Sequence, residues 1–341
     1  MTAKTNLKAL SKDDMSHFIE DMGLPRYRAN QLLHWIYQRY VSEINDITEF
    51  SKDLRDRLSR LSYISDLNLV KSEKSEDGTE KFLFSLEDGE TIESVLIPDE
   101  DRLTLCISSQ VGCAMGCCFC LTGKIGLIRN LKAHEIVDQI IGVSRITRPS
   151  GKLTNIVFMG MGEPLANFDE VAEALRRATT LIGISKRKIT LSTAGLIPKI
   201  ASLAEKAPEV NLAISLNAAT DVVRSEIMPI NKKYPLELLI DACRRFPLSP
   251  RRRITFEYVL ISGVNDSADD AECLSNLLKG LKCKINLIPL NPDAGSSLKR
   301  PSEEVILVFQ KILLRHNLTA LIRDSKGQDI SAACGQLSAG H

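Results

Sequence analysis

The chain has 341 residues, with 44 Lys+Arg against 43 Asp+Glu, a net charge of +1 and 44% hydrophobic residues. This length suggests about two domains, or one barrel with an appendage. The composition excludes a disordered, collagen-like or coiled-coil chain. No apolar run reaches the ~20 residues that span a bilayer, and residues 1–10 lack the continuous apolar core of a signal peptide. We therefore expect a cytoplasmic protein without a membrane partner.

Residues 1–75 have the pattern of a helical accessory domain. Apolar residues recur at helical spacing between positions 32 and 40. Ser51 is placed to cap a following helix. The face that this helix would bury carries Leu54, Leu58 and Leu61. An ordinary helical core explains this pattern, and a binding role for the domain is compatible with it.

The hydrophobic period changes after residue 75. Residues 81–86 (KFLFSL) and 91–98 (TIESVLIP) flank an Asp-Gly pair, which is typical of a β-hairpin. We assign residues 76–100 to a hairpin extension and residues 102–108 to a third strand.

Residues 101–341 alternate between strand-like and helix-like segments. The strand-like runs are residues 155–160, 188–193, 210–216, 253–260, 284–290 and 318–323. Continuous apolar strands separated by helical patterns indicate parallel βα units. The predicted fold class is therefore α/β, a full or partial βα barrel with an N-terminal helical domain. Functional residues should lie at the carboxyl ends of its strands.

Five of the nine cysteines lie between Cys106 and Cys120. Cys113, Cys117 and Cys120 form C-x3-C-x2-C, and three such thiolates can hold three irons of a cubane cluster and leave the fourth iron open. The alternative is structural zinc with Cys106 or Cys118 as the fourth ligand. That alternative is weaker because no second C-x2-C knuckle is present and Cys106 lies within a strand.

The cysteine motif, with an aromatic residue at Phe119 after the first barrel strand, is similar to that of radical S-adenosylmethionine (SAM) enzymes. Further motifs resemble the RlmN family, whose members methylate adenine C2 in 23S rRNA and tRNA. These motifs are SSQVGC (108–113), GMGEP (160–164), INKKY (230–234), NLIPLNP (286–292) and AACGQL (332–337). The resemblance runs over nearly the whole chain.

The resemblance implies a radical SAM RNA methyltransferase with one 4Fe-4S cluster and SAM as cofactors. Its substrates would be an adenosine of the peptidyl-transferase centre in 23S rRNA and the adenosine 3′ of the anticodon in tRNA. A flavodoxin or ferredoxin would supply electrons, and we expect a monomer.

The resemblance also implies roles for individual residues. The cluster ligands would be Cys113, Cys117 and Cys120. The residues that face SAM would be Gly162, Glu163, Ser192, Ser215, Leu216, Asn217 and Asn291. Asn217 stands where many relatives carry His, and either side chain can hydrogen-bond a ribose hydroxyl.

Three further residues would carry the chemistry. Cys334 would be the S-methylcysteine intermediate, Cys106 the thiol that releases product by forming a disulfide with it, and Glu93 the proton acceptor. One SAM would methylate Cys334, and a second would give a 5′-deoxyadenosyl radical that activates this methyl group for addition to C2. Taken alone, a mid-strand carboxylate usually faces solvent and a single cysteine is usually inert.

Basic runs provide candidate RNA contacts, although such runs are usually only solvated. They lie at residues 186–188, 232–233, 244–245 and 251–253. Three alternatives remain at this point: adenine-C8 methylation of the Cfr type, a radical SAM maturase that acts on a protein, and an RNA-binding module with structural zinc.

Overall fold

The computed structural model describes residues 4–148, 151–292 and 296–340. The described strands are β1 (Thr5–Asn6), β2 (Ser62–Tyr63), β3 (Asn68–Lys74), β4 (Glu80–Ser85), β5 (Thr91–Asp99), β6 (Arg102–Cys106), β7 (Gln110–Cys113), β8 (Gly126–Asn130), β9 (Asn155–Phe158), β10 (Ile189–Thr193), β11 (Asn211–Ser215), β12 (Ile254–Leu260), β13 (Cys283–Pro289) and β14 (Ala320–Ile322). The α-helices are α1 (Lys12–Asp21), α2 (Tyr27–His34), α3 (Lys52–Leu61), α4 (Leu121–Ile125), α5 (Ala133–Thr147), α6 (Phe168–Arg177), α7 (Ile197–Lys206), α8 (Asp221–Ile227), α9 (Leu236–Arg245), α10 (Ala268–Leu277) and α11 (Glu303–Arg315). Short 3-10 turns occur at Leu7–Ala9, Ile44–Asp46, Pro164–Asn167, Lys186–Lys188 and Pro229–Lys232, and α2 and α6 each continue into a π-helical turn, Trp35–Arg39 and Ala178–Ile182. Among these helices, none is both long enough and apolar enough to cross a membrane.

One ten-stranded sheet organises the described residues, in the order β14-β13-β12-β11-β10-β9-β6-β5-β4-β3. The strands from β14 to β6 in this order are all parallel to their neighbours. They form the partial βα barrel that the sequence predicts, and the α/β fold class is confirmed. The predicted hairpin is also confirmed, because β4 and β5 pair antiparallel, and β5 joins it directly to the barrel strand β6.

The barrel strands form where apolar runs are buried on both faces. Their bounds lie within a few residues of the predicted runs. The predicted third strand at residues 102–108 ends as a strand at Cys106. The carboxyl ends of these strands meet at one rim, which is where the candidate site lies.

The helical N-terminal region is shorter than residues 1–75. Its last helix, α3, ends at Leu61, and β3 follows as an edge strand that is mostly solvent-exposed. Ser51 caps α3, with its Oγ accepting from the Leu54 N–H at 3.3 Å. The prediction that Leu61 is buried with Leu54 was wrong. Leu61 is 49% exposed, because it lies at the last turn, beyond the packed face.

The N-terminal region docks onto α5 and α6 through buried polar contacts. Lys8 Nζ lies 2.6 Å from Asp138 Oδ1, and both side chains are fully buried. Arg177 donates to the carbonyl of Leu10 at 3.2 Å and to the hydroxyl of Tyr37 at 3.3 Å. The interface thus pairs the Lys8 charge with Asp138 and gives the Arg177 guanidinium hydrogen-bond acceptors, as burial of charged groups requires.

Candidate active site

Two adjoining cavities occupy the carboxyl ends of the barrel strands. The first encloses about 920 Å³ of space that is continuous with solvent. The second, of about 900 Å³, lies under the C-terminal segment. The residues common to both linings are Cys120, Met159, Gly160, Glu257, Ile288, Cys334 and Gly335. Cys334 therefore lies in the wall where the two cavities meet.

The cysteine loop is carried by the antiparallel hairpin of β7 and β8. Gly112, on β7, has a φ of +73°, and a Cβ at this position would lie 1.9 Å from the carbonyl oxygen of Gly126. Only glycine fits a backbone approach this close. The sequence G-C at positions 112–113 thus allows the hairpin to close and to present the first cysteine to the first cavity.

The three motif cysteines, Cys113, Cys117 and Cys120, line the first cavity. Cys118 is exposed and lines neither cavity. Among the described residues, no three His, Cys, Asp or Glu side chains are grouped closely enough to hold one metal ion. A cubane cluster does not need such a group, because it places each thiolate on a different iron. The arrangement therefore fits an iron–sulfur cluster better than the zinc alternative.

An apolar layer underlies the cysteine loop. It contains Ala194, Ala218, Ile227 and Met228, with Met115 and Phe119 packed against them. The Cys118 N–H donates to the Ile227 carbonyl at 3.0 Å and fixes the loop onto this layer. A cluster held here would be shielded from water on its inner side.

Six of the seven residues expected to face SAM line the first cavity: Gly162, Glu163, Ser192, Ser215, Asn217 and Asn291. The seventh, Leu216, does not line it, because its fully buried side chain belongs to the main core. The Ser192 and Ser215 hydroxyl oxygens lie 3.4 Å apart. Asn291 Oδ1 is buried without a hydrogen-bond partner in the described residues. An unpartnered buried acceptor is costly, so Asn291 fits a ligand that donates a hydrogen bond.

Two thiols outside the cysteine motif, Cys106 and Cys334, line the second cavity together with Cys120 of the motif. Cys106 is the last residue of β6 and is buried, and burial raises the pKa of its thiol, with a further contribution from Cys334. The accessible surface of Cys334 faces the cavities, while the surrounding protein raises the pKa of its thiol to about 11. Cys106 and Cys334 therefore share the second cavity, and of these two thiols only Cys334 also lines the first cavity.

The comparisons with known proteins agree with this geometry. Residues 5–64 match the model of the ribosomal RNA large subunit methyltransferase N-terminal domain, and residues 107–272 match the radical SAM superfamily. The dual-specificity RNA methyltransferase RlmN of Geobacter sulfurreducens is 52% identical over 99% of this chain and 93% of its own length. That of Syntrophobacter fumaroxidans is 48% identical over 98% of both chains. This chain belongs to the RlmN family.

A solved structure gives the same result for the fold. The crystal structure of a radical SAM methyltransferase from Sphaerobacter thermophilus superposes with a TM-score of 0.94, at 45% identity over 98% of this chain and 99% of that chain. As a member of the radical SAM superfamily, this chain uses a 4Fe-4S cluster and SAM. Membership of the RlmN family argues against the maturase and the zinc-module alternatives.

Glu163, within the GMGEP motif shared with the RlmN family, is buried and already accepts two backbone hydrogen bonds. Its carboxylate accepts from the Leu165 N–H at 3.0 Å and from the Ala194 N–H at 2.7 Å. Burial raises the pKa of Glu163, and the Ala194 N–H opposes that rise. Its own N–H donates to the Gln110 side chain at 2.8 Å. Glu163 thus joins the ends of two strands as well as lining the cavity.

Asn217 has a φ of +61°, a left-handed conformation in which Asn is more frequent than most residues. Its Oδ1 accepts from the Val259 N–H at 2.9 Å, and its Nδ2 donates to Met228 Sδ at 3.1 Å. The amide thus ties the end of β11 to β12 and to the apolar layer. These contacts account for part of its hydrogen-bonding capacity.

Glu93, the expected proton acceptor of the RlmN reaction, is 5% exposed, so the solvent-facing alternative was wrong. It lies on β5 and does not line either cavity. Its Oε2 accepts from the N–H groups of Ser338 and Ala339 at 2.8 and 3.0 Å, and its Oε1 lies 3.3 Å from Lys81 Nζ. Glu93 therefore holds the C-terminal segment that carries Cys334.

Sequence reasoning missed two charged residues, one fully buried and one partly buried. Arg224 is fully buried and donates to the carbonyls of Leu216 and Ala194, both at 2.8 Å. Glu257 lies in β12 and lines both cavities. A charged residue inside an apolar strand was the available signal for Glu257. Arg224 gave no signal, because it lies in an ordinary polar helix.

The basic runs separate onto opposite ends of the barrel. Residues 186–188 and 251–253 directly precede β10 and β12, and residues 244–245 end α9, so all three lie at the amino ends of the strands. Residues 232–233 follow Met228, which lines the first cavity. Arg323 and Lys326 line the second cavity and extend the basic surface at the site. The runs are thus not one continuous RNA-binding face.

Proposed function

We propose that this chain methylates C2 of an adenosine in 23S rRNA and of the adenosine 3′ of the anticodon in tRNA. The observation that carries the proposal is the position of Cys334 between the two cavities. On one side lie the three motif cysteines and the residues assigned to SAM, and on the other side lies Cys106. A sulfur atom in this wall can accept a methyl group from one cavity and present it to a base in the other.

Cys113, Cys117 and Cys120 would hold the cluster, and the six lining residues named above would face SAM. When bound there, these cofactors supply one-electron chemistry, which modification of adenine C2 requires because that carbon is not a nucleophile. The apolar layer below the cysteine loop excludes water from one side of this site. The chain's own contribution is to orient the reactants and to move protons and thiols.

Cys334 is proposed as the methyl carrier and Cys106 as the resolving thiol. The thiolate of Cys106 attacks the sulfur of Cys334, so an S–S bond forms and the bond between that sulfur and the product carbon breaks. The released carbon gains the electron pair and a proton, and the two thiols become a disulfide. An external dithiol must then reduce this disulfide for a further turnover.

Glu93 is proposed as the proton acceptor for C2. Its carboxylate is engaged by the N–H groups of Ser338 and Ala339, so it must exchange these partners before it can approach a base. The C-terminal segment that carries Cys334 would therefore move when RNA binds. This movement would deliver Cys334 and free Glu93 in one step.

The RNA would approach the carboxyl ends of the strands, where Lys232, Lys233, Arg323 and Lys326 lie. The target base must leave its stack to reach the second cavity. We propose that residues 1–75 assist in RNA binding and that residues 76–100 extend the barrel sheet of residues 101–341. We also propose a monomer, a flavodoxin or ferredoxin as the electron donor, and action in the cytoplasm, where both RNAs are found.

The test is single-turnover methylation of an anticodon stem–loop by the reconstituted enzyme and its variants. Cys334→Ala is expected to abolish product, Cys106→Ala to accumulate a covalent enzyme–RNA adduct, and Glu93→Gln to slow turnover. Cys273→Ala, at an exposed cysteine on α10, is the matched control and should behave as wild type. Methylation by Cys334→Ala would show that the carrier assignment is wrong.

The RlmN relatives favour C2 over the C8 alternative as the target atom. The cysteines and the cluster motif are common to both reactions, so the decisive measurement is the identity of the methylated nucleoside.

A further inference from the structure

Glu257 is a partly buried carboxylate for which neither the cluster, the SAM positions nor the thiol chemistry gives a role. It lies in the apolar strand β12, and its side chain belongs to the wall shared by the two cavities, with Cys334. Of the seven residues that line both cavities, Glu257 is the one with an acidic or basic side chain. A group held against Cys334 from the second cavity would therefore meet this carboxylate.

The carboxylate is incompletely supplied with donors. Oε2 accepts from the Ser192 hydroxyl at 3.2 Å. The side chain of Asn286 on β13 is a second donor to the carboxylate. Lys284 on β13 and Arg323 after β14 face it from neighbouring elements, while Cys106 and Cys334 face it across the cavity. None of the described cations forms an ion pair with it, and burial raises its pKa. A carboxylate has about four acceptor positions, so unused positions remain for a donor from a ligand.

The rest of the second cavity suits the flat faces of a nucleobase. Its wall includes the apolar side chains of Val95, Ile97, Met159 and Ile288. Bases taken out of the stack are commonly held between apolar side chains and read along their Watson–Crick edge. The lining therefore combines apolar surfaces with the carboxylate acceptor of Glu257.

We propose that Glu257 reads the target base by accepting a hydrogen bond from the exocyclic 6-amino group of adenosine. This inference rests on the proposed function. In adenine, C2 and the 6-amino group both lie along the Watson–Crick side of the ring, so C2 can face Cys334 while the amino group faces Glu257. Guanine has a carbonyl oxygen in place of that amino group, and two facing acceptors repel each other.

The experiment compares two anticodon stem–loops that differ only in the target nucleoside, adenosine or unsubstituted purine riboside. Binding to the reconstituted enzyme is measured by fluorescence anisotropy without reductant, so no turnover occurs. Wild type should bind the adenosine RNA about tenfold more tightly, which corresponds to about 1.4 kcal/mol. Glu257→Ala should reduce this ratio to about one. Glu257→Gln should retain most of it, because its amide oxygen still accepts.

The matched control is Asp324→Asn, because Asp324 is an exposed carboxylate that lines the same cavity. This variant should keep the wild-type ratio. If wild type bound the adenosine and purine riboside RNAs equally tightly, the assignment would be overturned. This result does not depend on the variants, so it remains decisive even if Glu257→Ala does not fold. A tenfold ratio that persists in Glu257→Ala, with SAM binding lost in equilibrium dialysis, would place the carboxylate against SAM instead. If wild type bound neither RNA, the proposed function itself would fail.

Discussion

Replacement of Gly112 by Ala should open the hairpin that carries the cysteine loop. The added Cβ would lie 1.9 Å from the Gly126 carbonyl oxygen, and the φ of +73° is unfavourable for Ala. The left-handed conformation costs about 1–2 kcal/mol, and overpacking of this kind adds about 1–3 kcal/mol. The free energy of unfolding should therefore fall by about 2–5 kcal/mol. Iron bound per chain after anaerobic reconstitution should fall as well, because the cysteines are displaced.

Gly116→Ala, in the cysteine loop that follows β7, is the matched control. Gly116 has a similar φ of +64°, but its Cβ would meet only Pro229 Cγ at 3.7 Å, an ordinary contact. Gly116→Ala should therefore lower the free energy of unfolding only by the cost of the left-handed backbone conformation, about 1–2 kcal/mol. Urea unfolding followed by circular dichroism, together with iron and sulfide analysis, measures both effects. Equal stability and equal iron content in the two variants would refute the reasoning from the close approach.

Two further predictions concern the docking of the N-terminal region. Lys8→Met should lower the free energy of unfolding by about 3–5 kcal/mol in urea titrations, because it leaves Asp138 buried without its cation, and adding Asp138→Leu should recover much of that loss. Burial lowers the pKa of His134 to about 4 from 6.5, so the folded state keeps it neutral and binds fewer protons than the unfolded chain between these values. The contribution of neutral His134 to the free energy of unfolding is therefore fully present above pH 6.5. It should be lost as the pH falls towards 4, by about 3 kcal/mol in total. His134→Gln should remove this part of the pH dependence, and an unchanged profile would contradict the assignment.

The barrel strands were predictable from the sequence because each is a continuous apolar run between helical patterns. The hairpin of β4 and β5 was predictable because its turn contains Asp88-Gly89. The edge strand β3 was not, because its residues are mostly exposed and show no buried alternation. The hairpin of β7 and β8 was also missed, because the cysteine loop and a short helix separate its two strands.

The candidate site was predictable as a set of residues but not as a geometry. The cysteine spacing and the shared motifs identified the lining of the first cavity. They did not show that Leu216 turns into the core, or that Glu93 is held by the C-terminal segment. Both depend on contacts between residues far apart in the chain. Glu257 was missed although its charge inside an apolar strand was a signal, because a single charge has no spacing that relates it to the other motifs.

The most direct test of the central claim is nucleoside mass spectrometry of unmodified 23S rRNA and tRNA. The RNAs are treated with anaerobically reconstituted protein, SAM and a reductant, and the products are compared with 2-methyladenosine and 8-methyladenosine standards. The account predicts 2-methyladenosine in both RNAs. 8-Methyladenosine would contradict the target atom, and neither product from an enzyme that still cleaves SAM would contradict the RNA assignment.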